Sequence, residues 1–496
     1  MSGLAKAFAL FSGASAIGSV TQVIKGKFTA IALGAEGVGI LNQLTSLWSL
    51  FSVLASLGFY NGLLRHLAPS WDAGDRDAFR NHMSSNTFVL MMSSLLFAVG
   101  GCVFSTELSA LVFADGGERA ELICLIMLGL PIFAAAQVYR AMLNATRSVS
   151  AVVKARISAD VLSVIVLITL LYLIGFKGAV LSYVALHALY LGFTFYYVRK
   201  VLGMDVARPE PSRFSFQEVR VNLGFGLNGL IAVSIGTLTT ILISRWIIAS
   251  LGADSNGLYM MAVKVATVYL GGLSATAVGY YFPILAKTRT DNEMFGVMNR
   301  TWSIYLFVLP PVIVILMSTG DWLMWLLFTA EFIPAAILLL LILPGDLFRV
   351  SAETVSMALL ARKRLVLSTG SYFLWSLVYI SLAVYLLPRY GLTGVALAYL
   401  LSQIYNTVQA LTVSYLVFGF VPARSNVLSS ISALVLVGAA AILVLMDLNS
   451  VLHIALALAL LGLWAGFSCL NQDFRKGLRR LLDRIGLSSK NQSSSS

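Results

Sequence analysis

Fourteen apolar runs of about 20 residues or more constrain this 496-residue chain more than any motif in it. A helix of that length crosses about 30 Å of hydrocarbon. The two-residue alternation of a membrane β-barrel strand, over about 10 residues, is absent. Only 11% of residues are charged and 58% are hydrophobic, against about 25% charged in a soluble domain. The pattern predicts an all-α polytopic membrane protein. Its spans fall at roughly 7–33, 38–64, 84–106, 120–145, 150–174, 178–199, 221–250, 257–285, 299–318, 333–360, 365–387, 392–419, 427–446 and 451–470.

Charge between the spans sets an orientation. With the N-terminus in the cytoplasm, 25 of the 34 Lys and Arg residues fall in cytoplasmic segments, and only Arg119, Lys177 and Arg389 fall on the far side. That bias predicts a multi-pass membrane protein with both ends in, N-in and C-in. The net charge of +12 therefore belongs to loops facing anionic lipid, and no nucleic-acid partner is expected. The N-terminal apolar run is too long for a cleavable signal peptide. Cys102, Cys124 and Cys469 are odd in number and far apart, which reads as small core residues rather than a disulfide or metal site. The four histidines have no metal-ligand spacing, and no phosphate-binding Gly-rich loop is present. No cofactor, no metal and no catalytic residue is expected.

The chain repeats itself. Leu33-Gly34-Ala35-Glu36 and Gly39 match Leu251-Gly252-Ala253-Asp254 and Gly257 at an offset of 218. Gly178 to Tyr183 resembles Gly394 to Tyr399 at 216, and Met142 and Arg147 match Met357 and Arg362 at 215. The offset spans six helices, an even number, so the repeat is parallel. The expected parts are an N-terminal six-helix lobe (1–205), a cytoplasmic linker (206–220), a C-terminal six-helix lobe (221–421), an extra helix pair (422–472) and a basic amphipathic tail (473–496). In the tail Phe474, Leu478, Leu481, Leu482 and Ile485 share one helical face.

Polar residues inside spans are the candidate site, because charge in hydrocarbon costs several kcal/mol unless it pairs or meets water. Six are basic (Lys25, Lys27, Arg140, Arg245, Lys264, Arg349) and three acidic (Asp160, Asp346, Glu353). That excess suits an anion. Asp346, Arg349 and Glu353 share a face after Pro344-Gly345, as a packed ion cluster or as a cavity wall whose carboxylates couple transport to an ion. Gln137, Arg140 and Asn144 share a face of the fourth span, with Arg140 close enough to the inner end to snorkel. Arg156 and Asp160 read as a structural pair. Lys264 lies too deep to snorkel easily. Asn61 and Arg65, one turn apart near the headgroups, suit either phosphate contact or interfacial anchoring.

Gly26-Lys27, Leu33-Gly34-x-x-Gly37-x-Gly39, Phe59-Tyr60-Asn61-Gly62 with Arg65, and Pro344-Gly345-Asp346-Leu347-Phe348-Arg349 resemble, in order and spacing, the bacterial polysaccharide flippases. Those belong to the multidrug, oligosaccharidyl-lipid and polysaccharide exporter superfamily, and the likeness to O-antigen and enterobacterial-common-antigen lipid III translocases covers about residues 5–415. The resemblance implies export of an undecaprenyl-diphosphate-linked oligosaccharide to the outer leaflet by alternating access, with a polysaccharide polymerase or chain-length machinery as partner. Such translocases usually have twelve spans, whereas lipid II flippases of the same superfamily have fourteen. A lipid II-type flippase is therefore one alternative. A multidrug cation antiporter of the same fold would want acids in spans one and seven, where this chain has lysines and Arg245. A membrane glycosyltransferase or ligase would want an acidic or histidine cluster on a large external loop, and the external loops are short.

Lys25 and Lys27 are about 200° apart on a helix and cannot form one site. Lys25 shares its face with Gly18, Thr21, Gln22 and Thr29, a polar stripe. Lys27 lies among Val20, Val23, Ile24 and Ile31, yet at offset 218 it lands on Arg245. A cation repeated in both halves suits a pseudo-twofold anion site, or symmetric snorkelling to the outer headgroups. The paired-site reading predicts that Lys27→Ala and Arg245→Ala each impair export more than Lys25→Ala.

Overall fold

A computed structural model describes residues 3–203, 209–276, 281–446 and 450–470. Among the described residues sixteen α-helices run in chain order: α1 Gly3–Ser56, α2 Phe59–Asp72, α3 Arg76–Val103, α4 Ser105–Phe113, α5 Ala120–Met127, α6 Gly129–Ala145, α7 Val149–Leu202, α8 Phe216–Leu251, α9 Ala253–Thr276, α10 Phe282–Lys287, α11 Asp291–Ser318, α12 Gly320–Leu327, α13 Ala336–Ala361, α14 Leu365–Phe418, α15 Arg424–Leu445 and α16 Ser450–Leu470. No strand occurs among the described residues. The amphipathic tail expected over 473–496 lies outside them.

Three of the helices are too long for one crossing. α1, α7 and α14 have 54 residues each, about 80 Å of helix. Each is broken inside by a glycine in the left-handed region: Gly34 (φ 62°), Gly175 (φ 60°) and Gly391 (φ 58°). Only glycine holds such a backbone cheaply. Each therefore supplies two crossings, and about fourteen crossings follow. The sequence-derived spans differ in three places, the third span beginning at Arg76 rather than 84. The second ends at Ser56, because Leu57 and Gly58 are both left-handed (φ 49° and 67°), and α2 starts afresh. The fourth divides into α5 and α6 at Leu128, whose backbone stays right-handed helical (φ −59°, ψ −19°), so the two form one crossing.

The internal repeat is written into the backbone. α7 and α14 have equal length at an offset of 216, and their breaks, Gly175 and Gly391, keep it. Past each break a would-be Cβ on Gly178 or Gly394 would strike the carbonyl of Leu170 or Leu386, again 216 apart. The turns before these helices repeat in hydrogen bonds: Ser148 N to Leu143 O at 2.9 Å and Arg364 N to Leu359 O at 2.7 Å. Arg147 (φ 56°) thus corresponds to Lys363 (φ 58°), not to Arg362, which sequence matching selects because the turn holds three consecutive basic residues.

Two compact units result. The first takes the chain up to Met261 together with Trp325–Phe332. The second takes Ala262–Met324 and the chain from Ile333 onward. In the first, Phe59, Leu63, Phe79, Met83 and Met142 form one fully buried cluster, and Leu44, Trp48, Ile126, Met127 and Leu130 another. Cys102 and Cys124 join α3 to α5 as a disulfide, which corrects the reading of both as unpaired core residues. The sequence separation of 22 conceals that the two helices run side by side. In the second unit, Trp302 Nε1 donates to Ser351 Oγ at 3.0 Å and Tyr281 OH to the Thr354 carbonyl at 2.7 Å. Interhelical bonds of this kind and close packing hold helices together in lipid, about 0.6–2 kcal/mol per bond.

Candidate functional site

A cavity of about 470 Å³ opens within the first unit. α6 contributes Phe133, Gln137, Arg140 and Asn144, which recur every three or four residues and so share a face. The first segment of α7 adds Arg156 and Asp160, its second segment adds His187 and Tyr190, and α2 adds Tyr60. Ala159 is almost fully buried, and such small side chains leave the space open.

Arg140 is held in place rather than loose. Its guanidinium lies 4.6 Å from the Tyr60 ring centroid, a cation–π distance. Its Nη1 donates to Gln137 Oε1 at 3.2 Å, and Asn144 Nδ2 donates to the Tyr60 hydroxyl at 2.7 Å. One of five guanidinium N–H groups is thereby used by a side chain, leaving a planar donor fork of the type that binds carboxylates and phosphates. Arg156 Nε lies 3.7 Å from Asp160 Oδ2, an ion pair too long to be a hydrogen bond, and Arg156 is half exposed.

The polar stripe of α1 meets this pair. A Cβ on Gly18 would touch both Arg156 Nη2 and Asp160 Oδ2 at 3.4 Å. Lys25, two turns along the same face, interacts electrostatically with Asp160 and His187. Two cations, Arg156 and Lys25, therefore attend one carboxylate.

Phe133, His187 and Tyr190 give the cavity an aromatic wall, and Trp48 backs it. His187 stacks on Trp48 at 4.5 Å, and Phe133 stands edge-on to Trp48 at 5.1 Å. His187 Nε2 and Trp48 Nε1 have no hydrogen-bond partner among the described residues. Sequence reasoning did not find this wall. Tyr183, His187 and Tyr190 fall at i, i+4, i+7 on one face of α7, a signal hidden because His187 was weighed only as a metal ligand.

The other expected site residues lie elsewhere. Lys27 Nζ donates to the Trp325 carbonyl at 2.9 Å, and Arg245 Nε donates to the Leu111 carbonyl. Arg65 is exposed on α2, Lys264 is half-buried on α9, and the side chain of Asn61 lies outside the described residues. In the second unit, Asp346 is 1% exposed. Its Oδ1 accepts from Tyr399 at 2.6 Å and its Oδ2 from Tyr269 at 3.0 Å. Arg349 Nε pairs with Glu353 Oε1 at 2.9 Å. α13 remains helical through Pro344, and Gly345 admits the Tyr399 ring to within 2.9 Å of where a Cβ would sit. No cluster of three or more potential metal ligands occurs among the described residues.

A family model described as polysaccharide biosynthesis protein matches residues 6–289. The chain belongs to that family. This family member is 22% identical over 412 residues to proteins named lipid III flippase in Escherichia coli K12 and Shigella flexneri, covering 81% of this chain and 95% of each relative. Its fold matches a lipid II flippase, MurJ, in an inward closed conformation, with TM-score 0.72 and 15% identity over 92% of this chain and 98% of the other. It also matches an inward-facing multidrug transporter of the MATE family, with TM-score 0.69 and 13% identity over 81% and 94%. The family member is a multi-pass membrane protein that groups with flippases and transporters rather than enzymes.

Proposed function

We propose that the protein is a flippase for an undecaprenyl-diphosphate-linked oligosaccharide, moving it from the cytoplasmic to the periplasmic leaflet of a bacterial inner membrane by alternating access. The observation that carries this reading is the cavity of the first unit, where Arg140 and Arg156, with Lys25 in electrostatic reach, outnumber Asp160. A diphosphate brings about two negative charges, and a positioned guanidinium binds them in charge-assisted bonds of about 1.5–3 kcal/mol each. Gln137, Asn144 and the aromatic wall offer amide and ring surfaces to sugar, while the prenyl tail stays in lipid. The relatives named lipid III flippase support a lipid as the cargo.

Basic loops on one side support N-in and C-in. Lys264 is a further candidate contact for the cargo, whereas Arg349, Glu353 and Asp346 are read as charges answered within the second unit. Depletion of the protein in cells tests the function. Lipid-linked glycan that accumulates shielded from externally added reagents supports a flippase. Accumulation in the outer leaflet would overturn it.

A further inference from the structure

Lys27 and Arg245, 218 residues apart, make the same contact. Trp325 lies in the last turn of α12 and Leu111 in the last turn of α4, and each offers its carbonyl to one of the two cations. Carbonyls at a helix C-terminus have no intrahelical partner and carry the negative end of the dipole, so a cation there is a cap. The two short helices are repeat mates. Lys27 belongs to the first repeat and caps a helix of the second, and Arg245 does the reverse. Burial around the two cations repeats as well: Gly26 and Thr29, like Ser244 and Ile247, are buried, while Phe28 and Trp246 are exposed.

A second reciprocal contact lies further along both repeats, at the same spacing from each cation. A Cβ on Gly39 would collide with the Ala253 carbonyl, and a Cβ on Gly257 with the Ala35 carbonyl. Asn256 Nδ2 closes this crossing by donating to Gly39 O at 3.0 Å. Ala35 N donates to Glu331 Oε1 at 2.9 Å, on the segment that follows α12. Two glycines at van der Waals limit have one closed arrangement, with no side chain to grade the approach. All of these contacts lie within the first unit.

We propose that Lys27 and Arg245 are paired positioning residues, each latching the helix of the opposite repeat so that the α1–α9 crossing stays shut in this conformation, and that both release when that end opens. The opening step is the one the flippase reading requires; the latch rests on that reading only there.

The test uses the purified full-length chain in lipid nanodiscs, with the native cysteines replaced by serine and one reporter, Val38→Cys. Val38 is 2% exposed beside the crossing, so maleimide reaches it only on opening. Lys27→Met and Arg245→Met should each speed labelling about fivefold, and together about 25-fold, if two independent caps add. Lys27→Arg and Arg245→Lys keep a donor and should label at nearly the parent rate, which a general loss of folding would not reproduce. Unchanged labelling in the double Met variant would overturn the latch, as would a full effect from one cation and none from the other. If labelling behaves as stated while depletion leaves glycan export intact, the flippase reading falls and the latch stands.

Discussion

The two repeats share a backbone and differ in what fills it. At an offset of 216, Phe133 and Gln137 of the cavity correspond to Arg349 and Glu353, Arg140 to Ser356, Arg156 to Tyr372 and Asp160 to Ser376. In the first unit these positions wall an open space with an excess of positive charge. In the second, Arg349 is answered by Glu353 one turn away, and Asp346 by two tyrosine hydroxyls. A duplicated fold can thus keep its hinges and turns while one copy holds a charge for a ligand and the other spends its charges on itself.

The largest effect should come from Arg140→Ala. Losing a positioned guanidinium worth about 1.5–3 kcal/mol should lower export of the lipid-linked glycan more than about tenfold at matched protein level. Ser356→Ala, at the corresponding position, should leave export unchanged, and equal losses would erase the asymmetry. A second variant moves the chemistry of one repeat into the other. Phe133→Arg with Gln137→Glu builds the i, i+4 pair of the second unit into the cavity wall. It should reduce export about fivefold, a change of about 1 kcal/mol, by crowding the cavity and neutralising Arg140. Unimpaired export would mean that the cavity does not hold the cargo.

Tyr399→Phe probes the self-satisfied site. It leaves a buried carboxylate oxygen of Asp346 without its 2.6 Å donor, at about 1–3 kcal/mol. Thermal unfolding in detergent should fall by several degrees, with export per folded molecule retained. A loss of export at unchanged thermal stability would instead place Asp346 in the transport cycle.

The smallest effect concerns the loop between α4 and α5. Asp115 accepts from Ser109 Oγ, Gly117 N and Arg119 Nη1, all at 2.9 Å. Burial pushes its carboxyl up, but these donors outweigh it and hold the group below the usual carboxylate range. A carboxyl depressed on folding stabilises above its unfolded pKa, about 3.9, and that stability is lost as pH falls through the folded value. Asp115→Asn should therefore be less stable than the parent at pH 7, by under about 1 kcal/mol, and match it in strong acid. A difference independent of pH would show that the charge on Asp115 contributes nothing.

Much of this was legible in the residues. Crossing number, helical class and repeat follow from apolar run length, from glycines at constant offset and from the dominance of hydrophobic residues, all properties of the local chain. The face shared by Gln137, Arg140 and Asn144, and the stripe joining Gly18 to Lys25, follow from helical periodicity alone. Partners across helices do not. Periodicity says which way a side chain points but not what stands opposite. Hence Tyr60 beneath Arg140, Trp48 against His187, the Cys102–Cys124 bond and the tyrosines on Asp346 came only from the packed structure. The two lysines of the first span divide along the same line. The sequence by itself separated Lys25 from Lys27, because two residues on a helix are about 200° apart. Only the tertiary structure decided their surroundings, Lys25 near an ion pair on α7 and Lys27 on the last turn of α12, because contacts some 300 residues apart depend on how helices pack.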